Sequence, residues 1–300
     1  MTRLASALLL ATTLTAPAHA VIILDSTYRA EGYKAAEALA AEPQFAAVFA
    51  FCDDETGEGC GNASGTWIGN DESHGYILTA AHNFDGGYGL DTYVYRSREG
   101  RYYKAAAIVV HPNYTRVVAA GEENEASLGF DVAIVTLTEP VTDAGDPPLL
   151  YAGVDEMGQT LTYVGYGSRG SAGAGQDENE PAGQIAAAAQ GVIESVTALS
   201  LSAAGGADGN YIQVYLPGED GSVENPFGGD VVEPVSKNAG LLGSGDSGGS
   251  AWIETDGVWS IAGVNGNGSG NAQYGDTSGF ARVSGHIPWI TGIFPDARTE

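Results

Sequence analysis

Gly245-Asp246-Ser247-Gly248-Gly249-Ser250-Ala251-Trp252-Ile253 runs a glycine-rich turn directly into a short apolar segment. Glycine admits backbone angles closed to other residues, so such a turn can aim successive N–H groups at one point. The apolar run after it has the length of a strand, and the same rhythm of short apolar runs and Gly, Asp, Asn or Pro breaks continues on both sides. Upstream lie Phe45–Phe51, Gly65–Ile68, Tyr76–Thr79, Thr92–Tyr95, Ala105–Val110, Val132–Leu137, Thr160–Tyr166, Gln190–Val196 and Tyr211–Leu216. Downstream lie Trp259–Val264 and Gly279–Val283. About a dozen short strands separated by turn residues predict an all-β barrel or sandwich. Helical patterning is confined to Ala30–Ala41, stopped by Pro43, and to Ser284–Phe294, where Trp289, Ile290 and Ile293 form the buried stripe and Pro288 fits only in the first turn. Ser168–Gly183 and Gly218–Gly240 lack periodicity and read as long surface loops.

The ends and the charge bound what the chain can be. Met1-Thr2-Arg3, the apolar run Leu4–Leu14 and Ala18-His19-Ala20 have the layout of a signal peptide, with cleavage expected after Ala20. No later run is long enough for a membrane helix, so a secreted product, extracellular or periplasmic, with no membrane association is expected. The net charge of −26 repels nucleic acid and anionic membranes. Acidic stretches at residues 53–55, 122–125 and 177–180 read as a solvated surface. Cys52 and Cys60, the two cysteines of the chain, are close enough to close one local disulfide. No histidine or further cysteine completes a metal ligand set around them, and acid-rich glycine loops at 85–91 and 218–222 lack the oxygen spacing of a calcium loop. No metal or cofactor is expected.

Three segments carry chemistry. Leu78-Thr79-Ala80-Ala81-His82 ends an apolar strand in a histidine flanked by small residues. Phe130-Asp131-Val132-Ala133-Ile134-Val135 sets a carboxylate directly before an apolar strand, where burial demands a partner such as an imidazole N–H. The third is the turn around Ser247. A serine hydroxyl needs an adjacent base, and that base needs a fixed tautomer. Gly-x-Ser-x-Gly alone also fits the nucleophile elbow of an α/β-hydrolase, but the set His82, Asp131, Ser247 in that order is more telling.

These segments resemble the signatures of the trypsin/chymotrypsin family of serine proteases. His111-Pro112-Asn113-Tyr114, Val164-Gly165-Tyr166-Gly167 and Phe280-Ala281-Arg282-Val283 with Trp289-Ile290 extend the similarity over about Phe45 to Phe294. The resemblance implies two antiparallel six-stranded β-barrels, residues 43–145 and 146–300, with a short C-terminal helix and an N-terminal helical extension. It implies a secreted endopeptidase, monomeric, acting on protein or peptide substrates. His82 and Asp131 would come from the first barrel and the nucleophile Ser247 from the second. Gly245 and Ser247 would supply the oxyanion-hole N–H groups, and Asp246 would hold the turn, in relatives by pairing with a buried amino terminus.

The chain also departs from the family. The usual Ile-Val-Gly-Gly start is absent. Residues 21–42 are either an extension whose terminus, Val21-Ile22-Ile23, inserts beside Asp246, or a removable propeptide. Asn83 stands where relatives often carry a cysteine. Counting back from Ser247 puts the base of the specificity pocket at Leu241, with walls from Gly266, Asn267, Gly268 and Ser278; an uncharged base argues against Lys or Arg at the cleaved position. Two rival readings remain: an α/β-hydrolase esterase using Ser247, Asp276 and His286, and a non-catalytic binding protein on a protease fold. His74, His111 and His286 read as structural or solvated.

Overall fold

The computed structural model describes residues 21–57, 59–87, 89–119, 128–177, 183–198 and 209–300. Residues 1–20, where a signal peptide is expected, and the acidic stretches 122–125 and 178–180 lie outside the described residues. The chain enters on a two-residue strand β1 (Ile22–Ile23), followed by α1 (Asp25–Glu31) and α2 (Lys34–Ala40). Sequence patterning predicts one helix over Ala30–Ala41; instead Gly32 breaks it. Gly32 adopts φ +61° and donates its N–H to Tyr28 O at 2.9 Å, closing α1 as a glycine cap does.

Then come β2 (Val48–Cys52), β3 (Cys60–Asn70), β4 (Gly75–Thr79), β5 (Val94–Arg96), β6 (Tyr102–Val110), α3 (Pro112–Ala119) and β7 (Ala133–Leu137). The six strands close into a barrel in the order β2-β3-β4-β7-β6-β5, antiparallel throughout. Alternation along β6 sends Tyr103 and Ala105 inward and leaves Lys104 in solvent. Cys52 and Cys60 are bridged at the β2–β3 end, a bond compatible with an oxidising compartment.

The second half holds β8 (Leu149–Leu150), β9 (Thr160–Gly165), β10 (Gly170–Ser171), β11 (Gly175–Gln176), β12 (Ala187–Val192), β13 (Ser195–Thr197), β14 (Tyr211–Tyr215), β15 (Gly240–Leu241), β16 (Ser250–Thr255), β17 (Val258–Gly268), β18 (Thr277–Arg282) and α4 (Ile287–Ile293). Its main sheet runs β12-β9-β16-β17-β18-β14-β13, with β8 joining β17, and curls as a half-barrel. Pro288 occupies the first turn of α4, where its missing N–H costs nothing. Phe45 is fully buried between the halves, edge-on to Trp252 and Trp259 at 5.5 and 5.2 Å. Its burial contributes about 2–3 kcal/mol.

A smaller sheet, β11-β10-β1-β15, surrounds the entering strand. Ile22 faces Gly170 on one side and Leu241 on the other, and Val21, Ile22 and Ile23 are buried. Three short strands in or at the end of the unpatterned loops are thus ordered around the first described residues. Among those residues no helix is long and apolar enough to cross a membrane.

Candidate active site

β4 ends at Thr79, and a tight helical turn over Ala81–Phe84 carries His82 out of the barrel. Asp131 lies two residues before the start of β7, which is paired to β4 with Thr79 opposite Ala133. That register brings the two side chains together. Asp131, 2 % exposed, receives the His82 backbone N–H on Oδ1 at 2.9 Å and the ring Nδ1 on Oδ2 at 2.6 Å. A carboxylate only accepts, so Nδ1 carries the proton and Nε2 is left as the basic nitrogen. Burial is the largest influence on His82 and lowers its pKa. The hydrogen bond and charge of Asp131, with the charge of Asp85, outweigh it, and the net displacement is upward.

The turn around Ser247 is held by both halves of the molecule. Ser64 of β3 donates its backbone N–H to Ser247 O at 2.8 Å and its hydroxyl to Gly245 O at 3.1 Å. Asn265 of β17 receives Gly248 N–H at 2.8 Å and donates its side chain to Asp246 O at 3.1 Å. Gly245 and Gly248 adopt φ +88° and +83°, and a Cβ on Gly248 would collide with Thr79 Oγ1 and Ser64 O. Larger residues are therefore excluded from the turn. Among the described residues, neither Gly245 N–H nor Ser247 N–H has a hydrogen-bond partner, although their neighbours do. An unpartnered pair of backbone donors beside a hydroxyl is suited to receive an oxyanion.

Ser247 and His82 line one cavity of about 620 Å³, together with Phe51, Asp53, Asn62 and Tyr93. Ser247 Oγ points at Gly266 O, 3.4 Å away, and no hydrogen bond joins it to His82 Nε2 among the described residues. His82 and Ser247 thus share one crevice, with the imidazole–carboxylate contact made and the Ser247 hydroxyl turned to Gly266 O.

No family model and no curated protein matches this chain.

Ser247 also borders a second cavity of about 230 Å³, whose lining does not include His82. Gly266, Asn267 and Gly268, the expected pocket walls, are among its lining residues. Leu241 is not; it is tied into β15 opposite Ile22, and Leu242 is the residue that faces the cavity. A one-residue offset in an extended segment moves a side chain to the other face, which counting from Ser247 alone does not resolve. Ser278 is fully buried and does not line the cavity; its hydroxyl oxygen accepts Leu242 N–H at 2.9 Å.

Asp246 is fully buried and accepts three backbone N–H groups: Val21 at 2.9 Å, Gly243 at 2.8 Å and Gly167 at 3.0 Å. Burial pushes its carboxyl up to about 6 despite those donors. Asn83 donates to Ser247 O at 3.2 Å and Thr79 Oγ1 at 3.1 Å, a polar strap between the histidine segment and the Ser247 turn.

Two further histidines, His111 and His286, buttress the site. His286 Nε2 bonds Gly129 O at 2.9 Å, two residues before Asp131, and His111 stacks on Phe130 at 5.4 Å and meets His286 edge-on at 5.0 Å. Burial pushes both down to about 4. Asp276, the carboxylate of the esterase reading, is occupied by the N–H groups of Asn271 and Gln273. The antiparallel sheets also lack the parallel strand–helix layering that reading requires. Among the described residues no group of three or more His, Cys, Asp or Glu side chains gathers as a metal site.

Proposed function

We propose that this protein is a secreted serine endopeptidase of the trypsin/chymotrypsin type that hydrolyses peptide bonds through an acyl-enzyme on Ser247. The observation that carries the proposal is the meeting of a His82–Asp131 pair and the Ser247 turn across one crevice, from segments far apart in the chain. Rotation of Ser247 about χ1 brings its hydroxyl toward His82 Nε2, which removes the proton as Oγ attacks the carbonyl carbon. The oxygen of that carbonyl gains charge and is received by Gly245 and Ser247 N–H. Collapse breaks the C–N bond, the imidazolium protonates the leaving amine, and water repeats the sequence on the ester. Aimed oxyanion donors of this kind contribute about 3 kcal/mol each to transition-state stabilisation.

The contact between Val21 N and Asp246 supports reading residues 21–42 as an integral part of the protease rather than a removable propeptide. Signal cleavage after Ala20 would place a free ammonium on a buried carboxylate that otherwise has amide partners only. The uncharged lining of the smaller cavity supports specificity for a non-basic side chain. Casein hydrolysis by the purified protein tests the function: activity that disappears in Ser247→Ala supports it, and a folded wild-type protein that leaves casein and peptide libraries intact contradicts it.

A further inference from the structure

We infer that the smaller cavity beside Ser247 selects a substrate side chain ending in a carboxamide, glutamine or asparagine, at the residue whose carbonyl is attacked. This rests on the endopeptidase reading and extends it to the substrate. The cavity, about 230 Å³, has no charged side chain in its lining. A lysine, arginine, aspartate or glutamate entering it would be buried without a counter-charge, which is costly. A carboxylate is disfavoured further because Asp276 lies against Gly270 at the rim, where a Cβ would meet its oxygens. A purely apolar side chain fares poorly for a different reason: it would cover amide donors without bonding them.

Those donors are specific. Ser244 N–H bonds Gln176 Oε1 at 3.1 Å. Because a backbone N–H can only donate, the oxygen of Gln176 is fixed on that side, and Nε2 has no partner among the described residues. Tyr211 OH donates to Asn267 Oδ1 at 2.5 Å, which leaves Asn267 Nδ2 likewise unpartnered. Both residues line the cavity, so each brings an N–H donor without a partner to its wall. An acceptor belongs to the same lining: the Leu242 carbonyl lies 3.8 Å from where a Cβ on Gly268 would be, and both residues border the cavity. Two donors and one acceptor around an uncharged space complement a C=O and an NH2 on one carbon. Sites built to hydrogen-bond a group reject analogues lacking it far more strongly than apolar pockets reject a size change. Gln176 sits on β11 and Leu242 follows β15, the two edges of the sheet around β1, so the entering strand also sets the spacing of the two walls.

The test is a matched set of fluorogenic peptides differing only in Gln, Asn, Leu, Phe, Glu or Arg before the scissile bond, run on the wild type and on Gln176→Leu. Each preparation is titrated first with a fluorophosphonate probe to count reactive Ser247. We expect kcat/KM for the Gln or Asn peptide to exceed that for every other peptide by about tenfold or more, consistent with one or two hydrogen bonds. Gln176→Leu should lower the Gln-to-Leu ratio of kcat/KM by about tenfold while the probe still titrates Ser247. Full titration with preference for Arg, Phe or Leu, or a Gln-to-Leu ratio unmoved by Gln176→Leu, overturns the pocket assignment and leaves the hydrolase reading standing. A folded protein with neither titration nor cleavage overturns both.

Discussion

The contact between Val21 N and Asp246 gives a prediction whose size follows from the structure. Consider the chain begun at Val21 in two forms, one with a free amino terminus and one N-acetylated, both carrying Ser247→Ala so that neither digests itself. In the acetylated form Asp246 has only N–H partners and a pKa of about 6. A carboxyl raised above its unfolded value contributes stability that is complete below about pH 4 and is lost as pH rises through 6. Two pKa units correspond to a loss of about 3 kcal/mol. In the free form an ammonium stands 2.9 Å from the carboxylate. At an effective dielectric near 20 the attraction is about 6 kcal/mol, enough to offset the carboxylate penalty and part of the ammonium's own desolvation. Asp246 then stays ionised down to acid pH. The stability difference between the two forms should therefore widen in favour of the free amine by about 3 kcal/mol between pH 4 and pH 7. It should shrink again as the amine deprotonates in strongly alkaline solution. Urea unfolding followed by tryptophan fluorescence at a series of pH values measures it, and every other titrating group cancels in the difference. A difference that stays flat from pH 4 to pH 7 refutes the reasoning, because no charge on Val21 would then be reaching Asp246.

Three further outcomes follow from the same geometry. His82 must be neutral to act as base and its pKa is displaced upward, so kcat/KM should rise with pH through a midpoint above 6.5; a midpoint well below that value in a pH–rate profile contradicts the Asp131 pairing. Buried, neutral His111 and His286 have folded pKa values of about 4, below their unfolded value, so each contributes stability present above pH 6.5 and lost as pH falls toward 4. For His286 this amounts to about 3 kcal/mol, and His286→Gln, which can keep a donor on Gly129 O, should flatten the acid limb seen by urea unfolding. Asn83→Ala removes the strap to Ser247 O and should cost about 1 kcal/mol of stability with a larger proportional fall in kcat than in KM; unchanged kinetics would leave the strap without a role in the site.

The residues that were legible are those whose chemistry forces a position. Asp131 before an apolar strand had to be buried and paired, and the β4–β7 register supplies His82 as the partner. The glycines around Ser247 were legible because nothing larger fits against Thr79 and Ser64. Strands with clear apolar runs, such as β7 and β9, fall within a residue or two of their expected limits. The small sheet was not legible: two-residue strands at Gly170, Gly175 and Gly240 have no periodicity, and their order comes from contact with Ile22 and Ile23. Gln176 was hidden for the same reason, inside a stretch that reads as loop. Phe45 begins an apolar run yet sits in a helical turn after Pro43, because it fills the space between the two tryptophans of the second half. His286 stands at the N-cap of α4, and its bond to Gly129 O is a long-range contact with no local signature.

The central claim, that Ser247 is an activated nucleophile, is tested most directly by covalent capture. The folded protein is exposed to diisopropyl fluorophosphate at pH 8 and its peptides are mapped by mass spectrometry. One adduct per chain on Ser247, absent after unfolding in urea and strongly slowed in His82→Ala, is the expected result. Native protein that remains unlabelled at Ser247, or labels there equally fast without His82, contradicts the account.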